Sequence, residues 1–415
     1  MFYVVLHSPY IFIVLILYIK LSYYIYKMSY PEKQIHTNSD SSVCQFRNGF
    51  DCNGNKINSR EYITQIRKND AFSHNESQIS KIIVELEYFA DYFAPVLDNC
   101  HLTLANINDN EINKCDFIDS RDTHKKYKSN RMAYIGHDNI ADTILKTFIT
   151  SPYRVISTIM NSFLYLSHSL NVLNDHRIIH CDIKENSVLC NSNGTPIICN
   201  FQKSILVTTS TKDVLSYREL FIYNPKKENA CIEYQVLCFL FSKTESKWDK
   251  TIITQEHVST VLSDYYSKSK SIHKHIHKAE EKYRTYLNGF VGKEIRFLVK
   301  EFMHNVTHWD NFSLAVIYLH VLDDIKIEMF YKDYPFLKTF FDHLITIVTS
   351  LPDKVRPTIK TTYDEIHDLF SVEVERTSTR NVEKIIDTIV ENGELKNRVI
   401  NNFKKTKLFL LENNT

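Results

Sequence analysis

The sequence predicts an α+β fold in which a small mixed part, ending near Gly136, precedes a larger and mainly helical part. Three observations lead to this prediction. Short apolar runs with strand-like spacing alternate with loops after Cys44, and helical periodicity dominates beyond Gly136. In addition, 43% of the 415 residues are hydrophobic, which is enough to bury a substantial core.

Charge and cysteine usage exclude several classes of function. Lys and Arg total 50 against 49 Asp and Glu, a formal net charge of +1, so no overall basic field favours nucleic acid as a partner. The nine cysteines form neither a C-x-x-C pair nor the dense spacing of a secreted scaffold. We therefore expect reduced thiols, no disulfide or metal scaffold, and a cytoplasmic protein.

Residues 1–27, "MFYVVLHSPYIFIVLILYIKLSYYIYK", are the one membrane candidate in the sequence. A spanning helix needs about 20 mostly apolar residues, and this segment is interrupted by His7, Ser8, Pro9 and Lys20. It is either a membrane anchor or a start-site artefact upstream of Met28. Residues 28–43 are polar and are expected to form a flexible linker.

The elements of the first part follow from local patterns. "REYITQIRK" is typical of a strand, and "RMAYIG" predicts a further strand at the end of this part. Between them, "HNESQISKIIVELEYF" predicts a helix because its apolar residues share one helical face: Ile79, Ile82, Ile83 and Leu86.

The second part begins with predicted helices. "VISTIMNSFLYLSHSLNVL" has apolar residues at helical spacing and leads directly into "IIHCDIKENSVL". "SVLC" and "PIIC" flank Asn193-Gly194, a strong signal for a hairpin turn. Inserted helices are expected over 244–307, and residues 373–415 predict a C-terminal extension of two amphipathic helices.

Four motifs occur in the order and context of a known catalytic domain. "HCDIKENSVL" resembles the catalytic loop of eukaryotic-type protein kinases, and "ICNFQKS" occupies the place of the D-F-G segment. "WDNFSLAVIYLHVL" and "LPDKVRPTIKTTYDEI" resemble later kinase elements. The chain is most similar to the serine/threonine kinases of giant DNA viruses. This resemblance implies a two-lobed kinase-like fold, with an N-lobe at 44–136 and a C-lobe at 137–372, and the host cytoplasm as the compartment.

The resemblance also implies roles for single residues. Asp182 matches the base that accepts the proton of the substrate hydroxyl, and Lys184 matches a contact to the transferred phosphate. His180 is expected to be structural. Asp310 is expected to be buried, with its carboxylate bound to backbone donors near His180. Arg356 is expected to form an ion pair with Glu233.

The magnesium ligands implied by the family are altered. Ser187 stands at the position of the loop asparagine, although Asn186 is adjacent, and Asn200 replaces the D-F-G aspartate. Magnesium prefers hard, charged oxygen ligands. We therefore expect Ser187 and Asn200 to bind the metal weakly or not at all.

The phosphate-binding side is altered as well. Gln65 aligns with the strand lysine of the family, and Glu76 matches the helix glutamate that should pair with it. A Gln–Glu contact cannot hold phosphates, but Lys68 offers a relocated cation. Gly49 and Gly54 do not have the spacing of a glycine-rich phosphate loop. ATP and Mg²⁺ are accordingly expected to bind weakly or not at all.

The resulting hypothesis is a catalytically impaired serine/threonine kinase homologue, a pseudokinase that acts by binding a protein partner. The alternative is an active serine/threonine kinase in which Asp182 is the base, Asn186 or Ser187 holds metal with Asn200, and Lys68 binds phosphate. A small-molecule phosphotransferase is the third class and fits the later motifs least. A membrane is a partner only if residues 1–27 are a true anchor.

"IHKHIHK" presents three histidines at alternate positions. On a strand they would line one face as metal ligands. On a helix, which the following "HKAEEKYRTYL" favours, they would splay apart and lie at the surface.

Overall fold

The fold is α+β, as the sequence predicts. In this computed structural model the described residues are 36–37, 43–46, 51–53, 55, 61–103, 115, 117–118, 122, 124–151, 154–207, 215–244, 250–268, 273–332, 334–352 and 356–376. Residues 1–27 and the extension beyond 376 lie outside this set, as do Gly49 and Gly54.

Ten strands are described. They are β1 (His36–Thr37), β2 (Val43–Phe46), β3 (Tyr62–Lys68), β4 (Phe93–Ala94), β5 (Val96–Thr103), β6 (Lys126–Ala133), β7 (Ile178–Ile179), β8 (Val188–Cys190), β9 (Pro196–Cys199) and β10 (Ile205–Leu206). An antiparallel five-stranded sheet has the spatial order β1-β2-β3-β6-β5. A three-stranded sheet has the order β4-β9-β8, and β10 pairs with β7.

Helices make up most of the remaining described chain. They are α1 (Ala71–Val84), α2 (Phe89–Tyr92), α3 (Ile140–Thr150), α4 (Val155–Asp175), α5 (Ile232–Lys243), α6 (Gln255–Lys268), α7 (His273–Ile276), α8 (Glu280–Asn288), α9 (Ile295–His304), α10 (His308–Asp324), α11 (Pro335–Thr349) and α12 (Ile359–Arg376). Four of them, α6 to α9, lie within 244–307, so the described residues of this segment are largely helical, as predicted.

Strand β3 lies at the centre of the large sheet. Gln65 pairs with Gln45 of β2 on one side and with Asn130 of β6 on the other. Because side chains alternate along a strand, Gln65 and Arg67 share one face and Lys68 points to the opposite face. Arg67 is buried and Lys68 is exposed.

Two disulfides cross-link the sheet region. Cys44 of β2 pairs with Cys115, and Cys52 pairs with Cys100 of β5, with Cα–Cα distances of 6.0 and 5.8 Å. The prediction that all thiols are reduced is therefore wrong for these four residues. Sequence spacing did not reveal the pairs because each joins positions far apart in the chain that only the sheet brings together. The other five cysteines are buried free thiols.

The helical region is built around α4, whose apolar face is buried against α10, α11 and α12. The ring of Phe163 lies edge-on to Tyr318 of α10 and to Phe340 of α11, at centroid distances of 4.9 and 5.0 Å. The Tyr318 hydroxyl donates to the Ser162 hydroxyl at 2.7 Å. This core holds α4 in place, and the chain enters β7 and the H-x-D segment after the C-terminal end of this helix.

Two glycines have specific structural roles. Gly194 has a φ of +80° in the turn between β8 and β9, which confirms the predicted hairpin. At Gly136 a Cβ atom would lie 2.5 Å from the carbonyl oxygen of Cys190. Gly136 therefore allows the chain leaving the five-stranded sheet to pass against β8.

The described helices include none that combines the length and the apolar character needed to cross a bilayer. The predicted anchor at residues 1–27 lies outside the described part of the chain.

Candidate functional site

The segment that carries Asp182 begins as a strained turn after β7. Cys181 has a φ of +60°, a conformation that costs a non-glycine residue of order 1–2 kcal/mol. Two backbone amides, those of His180 and Cys181, donate to the Asp310 carboxylate at 2.6 and 2.9 Å. Asp310 is buried, as predicted, and it holds the turn that orients Asp182.

His180 is a structural residue, as the sequence predicts. Its Nε2 donates to the carbonyl oxygen of Cys199 at 3.0 Å, and its Nδ1 accepts from the amide of Asp182 at 3.3 Å. Burial lowers the pKa of His180 to about 4, so the ring is neutral near pH 7. The imidazole thus ties the H-x-D segment to the end of β9.

Three lysines surround the carboxylate of Asp182, which is 1% exposed. The ammonium group of Lys227 lies 2.6 Å from Oδ1, while those of Lys184 and Lys203 lie 3.2 and 3.7 Å from Oδ2. Burial alone would raise the pKa of Asp182, but these ammonium groups outweigh it and hold the pKa well below its usual range. Asp182 is therefore a firmly ionised ion-pair partner and a poor proton acceptor.

Lys227 is the most firmly held of the three lysines. Its Nζ also donates to the carbonyl oxygen of Cys181 at 3.0 Å and lies 4.6 Å from the centre of the Tyr234 ring. Burial would lower the pKa of Lys227, but Asp182 raises it instead. The cation occupies the space around Oδ1 that an acceptor hydroxyl would need.

The two loop residues predicted as metal ligands, Asn186 and Ser187, do not form a pair of ligands beside the Asp182 carboxylate. The hydroxyl of Ser187 accepts from the Lys184 amide and donates to the Lys184 carbonyl, each at 2.8 Å. Asn186 is exposed, in a 3₁₀ turn that spans Glu185–Ser187. The Ser187 hydroxyl is therefore engaged in hydrogen bonds within its own turn.

Arg67 takes the buried cationic position on β3. Its Nε lies 3.2 Å from Oε2 of Glu76 on α1 and donates to Oε1 of Gln65 at 3.1 Å. Glu76 therefore pairs with Arg67 rather than with Gln65, which corrects the expected Gln–Glu contact. Strand alternation is the reason, since Gln65 and Arg67 project from the same face.

Two further amide oxygens complete the surroundings of Arg67. Nη1 donates to Oε1 of Gln202 at 2.5 Å, and Nη2 donates to Oδ1 of Asn200 at 3.3 Å. All three guanidinium nitrogens therefore have protein partners, and the side chain is 4% exposed. Lys68, the predicted replacement cation, lies exposed on the other face and takes no part in this network.

Asn200 and Gln202 sit on a turn that is fastened to α1. Asn200 has a φ of +71° and precedes the 3₁₀ turn Phe201–Lys203. Asn75 of α1 donates to the carbonyl oxygens of Gln202 and Ser204 at 3.0 and 2.8 Å. The helix, strand β3 and this turn therefore form one hydrogen-bonded unit.

The residues present do not fit a magnesium–nucleotide site. The amide oxygen of Asn200 accepts from Arg67, Ser187 is closed on its own turn, and Asp182 is surrounded by ammonium groups. Across the part of the chain that the structure describes, there is no group of three His, Cys, Asp or Glu residues that could hold a metal ion. Magnesium would require charged oxygen ligands that this arrangement does not offer.

Two other predictions concern residues away from Asp182. Arg356 donates to Oε1 of Glu233 at 3.0 Å, and both side chains are buried, which confirms the predicted ion pair. The histidine segment is helical, with His275 beside Asp323 and His277 beside Glu280. The helical interpretation is therefore confirmed for the described residues of this segment. The expected surface position holds for His277 but not for His275, whose ring is 15% exposed and packs against Phe341.

Sequence reasoning missed three residues of the site. Arg67 could have been found, because two-residue alternation from Gln65 leads to it rather than to Lys68. Lys203 and Lys227 had no local signal, since they approach Asp182 from positions 21 and 45 residues away along the chain. Only the tertiary fold brings them to the carboxylate.

No protein-family model and no curated protein matches this chain.

Proposed function

We propose that the chain is a two-lobed, protein-kinase-like protein whose phosphotransferase chemistry is severely impaired and which acts by binding a protein partner. Its lobes would comprise residues 44–136 and 137–372. The proposal is supported by two contacts that match the kinase resemblance. Asp310 binds the backbone of the H-x-D turn, and Glu233 pairs with Arg356.

One observation carries the proposed loss of catalysis: Lys227 Nζ lies 2.6 Å from Oδ1 of Asp182. A general base must come within hydrogen-bond distance of the hydroxyl from which it takes a proton. The ammonium group fills that position, and it also lowers the basicity of the carboxylate. An acceptor hydroxyl would have to displace a buried ion pair to reach Asp182.

The nucleotide side supports the same proposal. Arg67 is saturated by protein oxygens, and Asn200 lacks the charge that a magnesium ligand should supply. Removing a single electrostatic stabiliser typically costs about 10²–10³ in rate. Losses at the base, the metal ligands and the cation together would leave little transfer, even though the effects of residues that act as one unit do not simply multiply.

A second candidate, an active serine/threonine kinase, is favoured by one contact. The Arg67–Glu76 pair joins β3 to α1 as a strand lysine would, so the role first given to Lys68 would pass to Arg67. This candidate requires Arg67 to exchange its amide partners for phosphate. It also requires Lys227 to leave Asp182.

The deciding experiment is a phosphoryl-transfer assay with radiolabelled ATP and Mg²⁺, using the protein itself and a generic basic peptide as acceptors. We expect transfer by the parent to equal that of Asp182→Ala. Transfer at roughly 1–100 per second, the range of ordinary kinases, would contradict the proposal if Asp182→Ala abolished it. Loss in Arg67→Ala but not in Lys68→Ala, with circular dichroism showing that both variants are folded under the assay conditions, would then identify the active cation.

A further inference from the structure

The two strand cysteines that form disulfides lie on one face of the five-stranded sheet. Cys44 of β2 and Cys100 of β5 occupy one row across the sheet, in register through Ile66 of β3 and Ser129 of β6. Residues paired across neighbouring strands project to the same side, and successive residues of one strand alternate. This face is therefore opposite to the one that carries Arg67 and its hydrogen-bond partners.

Each disulfide joins parts of the chain that are distant in the sheet. Cys52 follows β2 in the chain, yet it bonds to Cys100 of β5, which the spatial order places three strands away from β2. At the usual spacing of neighbouring strands, this separation is about 14 Å. The Cys52–Cys100 bond is therefore a covalent tie between the turn at Cys52 and the edge strand β5.

The two disulfides differ in their access to solvent. Cys44 and Cys115 are 0% and 1% exposed, and they lie in an apolar cluster that also contains Tyr127. Cys52 is exposed and Cys100 is partly exposed, and neither is part of that cluster. A thiol in solution can therefore reach Cys52, whereas it can reach the other bond only after the apolar cluster has opened.

The turn that carries Cys52 is held by its own polar contacts. The Asp51 carboxylate accepts from the backbone amides of Asn53 and Asn55 at 2.9 and 2.8 Å, and from the side-chain amide of Asn55 at 2.9 Å. The Asp51 amide donates to the carbonyl oxygen of Asn55 at 2.9 Å. These bonds do not involve the disulfide, so the Cys52–Cys100 bond can open without loss of the turn or of the apolar cluster.

We propose that Cys52 is a modification site that takes up a low-molecular-weight thiol, such as glutathione, by thiol–disulfide exchange with the Cys52–Cys100 bond. The thiolate of the small molecule attacks Sγ of Cys52 and forms a mixed disulfide there. The electron pair of the broken S–S bond leaves with Sγ of Cys100, which takes a proton from water. Exposed disulfides are the labile ones, so the buried Cys44–Cys115 bond stays closed.

The exchange converts a cross-link into an adduct. The turn at Cys52 is then no longer tied to β5, and Cys100 becomes a free thiol on this edge strand. A second thiol completes the reduction, and a small disulfide reverses it, so the state of the pair follows the ratio of thiol to disulfide around the protein. This inference does not depend on the proposed function, because it concerns the opposite face of the sheet.

The test is peptide mapping by mass spectrometry. The oxidised, full-length protein is incubated with reduced glutathione under native conditions and then alkylated. We expect glutathione on Cys52, alkylation of Cys100 and an intact Cys44–Cys115 bond. The exposed bond should open about 100-fold faster or more, because the buried bond reacts only after local unfolding. In denaturant, where both bonds are accessible, the two rates should agree within about tenfold.

The matched variant is Cys52→Ser/Cys100→Ser, in which the free cysteines are all buried. It should take up no glutathione while it is folded, which circular dichroism can verify. The comparison of the two bonds in the parent decides the proposal even if this variant does not fold. Equal opening rates in the native parent, glutathione found mainly on Cys100, or no exchange before unfolding would each overturn it. Uptake by the folded double variant equal to that of the parent would do the same.

Discussion

Arg67 illustrates at the residue scale how a buried charge depends on its partners. Its guanidinium is enclosed by Glu76, Gln65, Gln202 and Asn200. Burial raises the pKa of Glu76 and Arg67 opposes that rise, so the carboxylate depends on this cation. Removing one partner of a buried pair leaves an uncompensated charge, which costs far more than the intact pair contributes.

We therefore expect Arg67→Ala to lower the free energy of unfolding by about 3–5 kcal/mol. The matched control is Lys68→Ala, which removes an exposed cation from the next position of the same strand and should change it by less than about 0.5 kcal/mol. Urea unfolding followed by circular dichroism measures both values. Equal effects of the two substitutions would show that the network around Arg67 is wrong.

Asp310 provides a second test at a single residue. Asp310→Ala should lower the free energy of unfolding by about 3–5 kcal/mol, because it leaves the amides of His180 and Cys181 buried without an acceptor. Asp368→Ala, at an exposed carboxylate of α12, is the control. Identical melting of the two variants would contradict the proposed anchoring of the H-x-D turn.

The ionisation of Asp182 predicts a pH dependence. Its pKa is held below the ordinary value, so its stabilising contribution is present above the unfolded-state pKa of about 3.9 and is lost as the pH falls through and below that value. The difference in unfolding free energy between the parent and Asp182→Asn should therefore shrink as the pH falls from 6 towards 3. Urea titrations at several pH values measure it. A difference independent of pH would show that the lysines do not hold Asp182 ionised.

At the scale of elements, the two disulfides tie β2, β5 and their neighbouring loops into one unit. The cross-linked positions are 71 and 48 residues apart, so each bond removes considerable freedom from the unfolded chain. The helical region has five cysteines without a disulfide, all buried in its core or beside it. Its stability should therefore depend on packing rather than on cross-links.

Reduction should selectively weaken the sheet region. We expect the Cys44→Ala/Cys115→Ala double variant to lose about 2–5 kcal/mol of stability, as is typical for a native disulfide. Thiol titration of the unfolded, unreduced protein should find five free thiols. A count of nine, with no change in melting temperature on adding reductant, would contradict the pairings.

At the scale of the whole molecule, the site lies where the helix α1, the strand β3 and the Asp182 segment meet. The polar side chains at this meeting point bind other parts of the protein. Arg67 and Asn75 donate to Gln202, and Lys227 pairs with Asp182. Hydrogen bonds and ion pairs within the protein therefore already occupy the side chains that a metal or a nucleotide would have to bind.

Magnesium should consequently add nothing to nucleotide binding. Millimolar magnesium–ATP should raise the melting temperature by less than a degree or two, because a ligand stabilises only in proportion to its affinity for the native state. Differential scanning fluorimetry of the protein with and without magnesium–ATP measures this shift. A large shift that appears only with Mg²⁺ would contradict the impaired-site proposal.

The sequence by itself determined much of the local structure. The strand at Tyr62–Lys68, the helix at Val155–Asp175 and the hairpin at Gly194 follow from periodicity and turn chemistry. The buried partners of Asp310 and Arg356 are what the resemblance to kinase motifs implies. Such features depend on residues that lie close together in the chain or in recognisable motifs. They could therefore be predicted before any fold was known.

Only the tertiary structure decided which charged side chains meet at the site and that four of the cysteines form disulfides. The motif predicts Gln65 at the position of the strand lysine and Lys68 as its replacement. In the structure, Arg67 is the cation on the face of β3 that meets α1, where it pairs with Glu76. Lys227 reaches Asp182, and Cys44 reaches Cys115, across long separations in sequence. The physical reason is that Coulomb attraction and covalent pairing depend on distance in space, which local patterns do not contain.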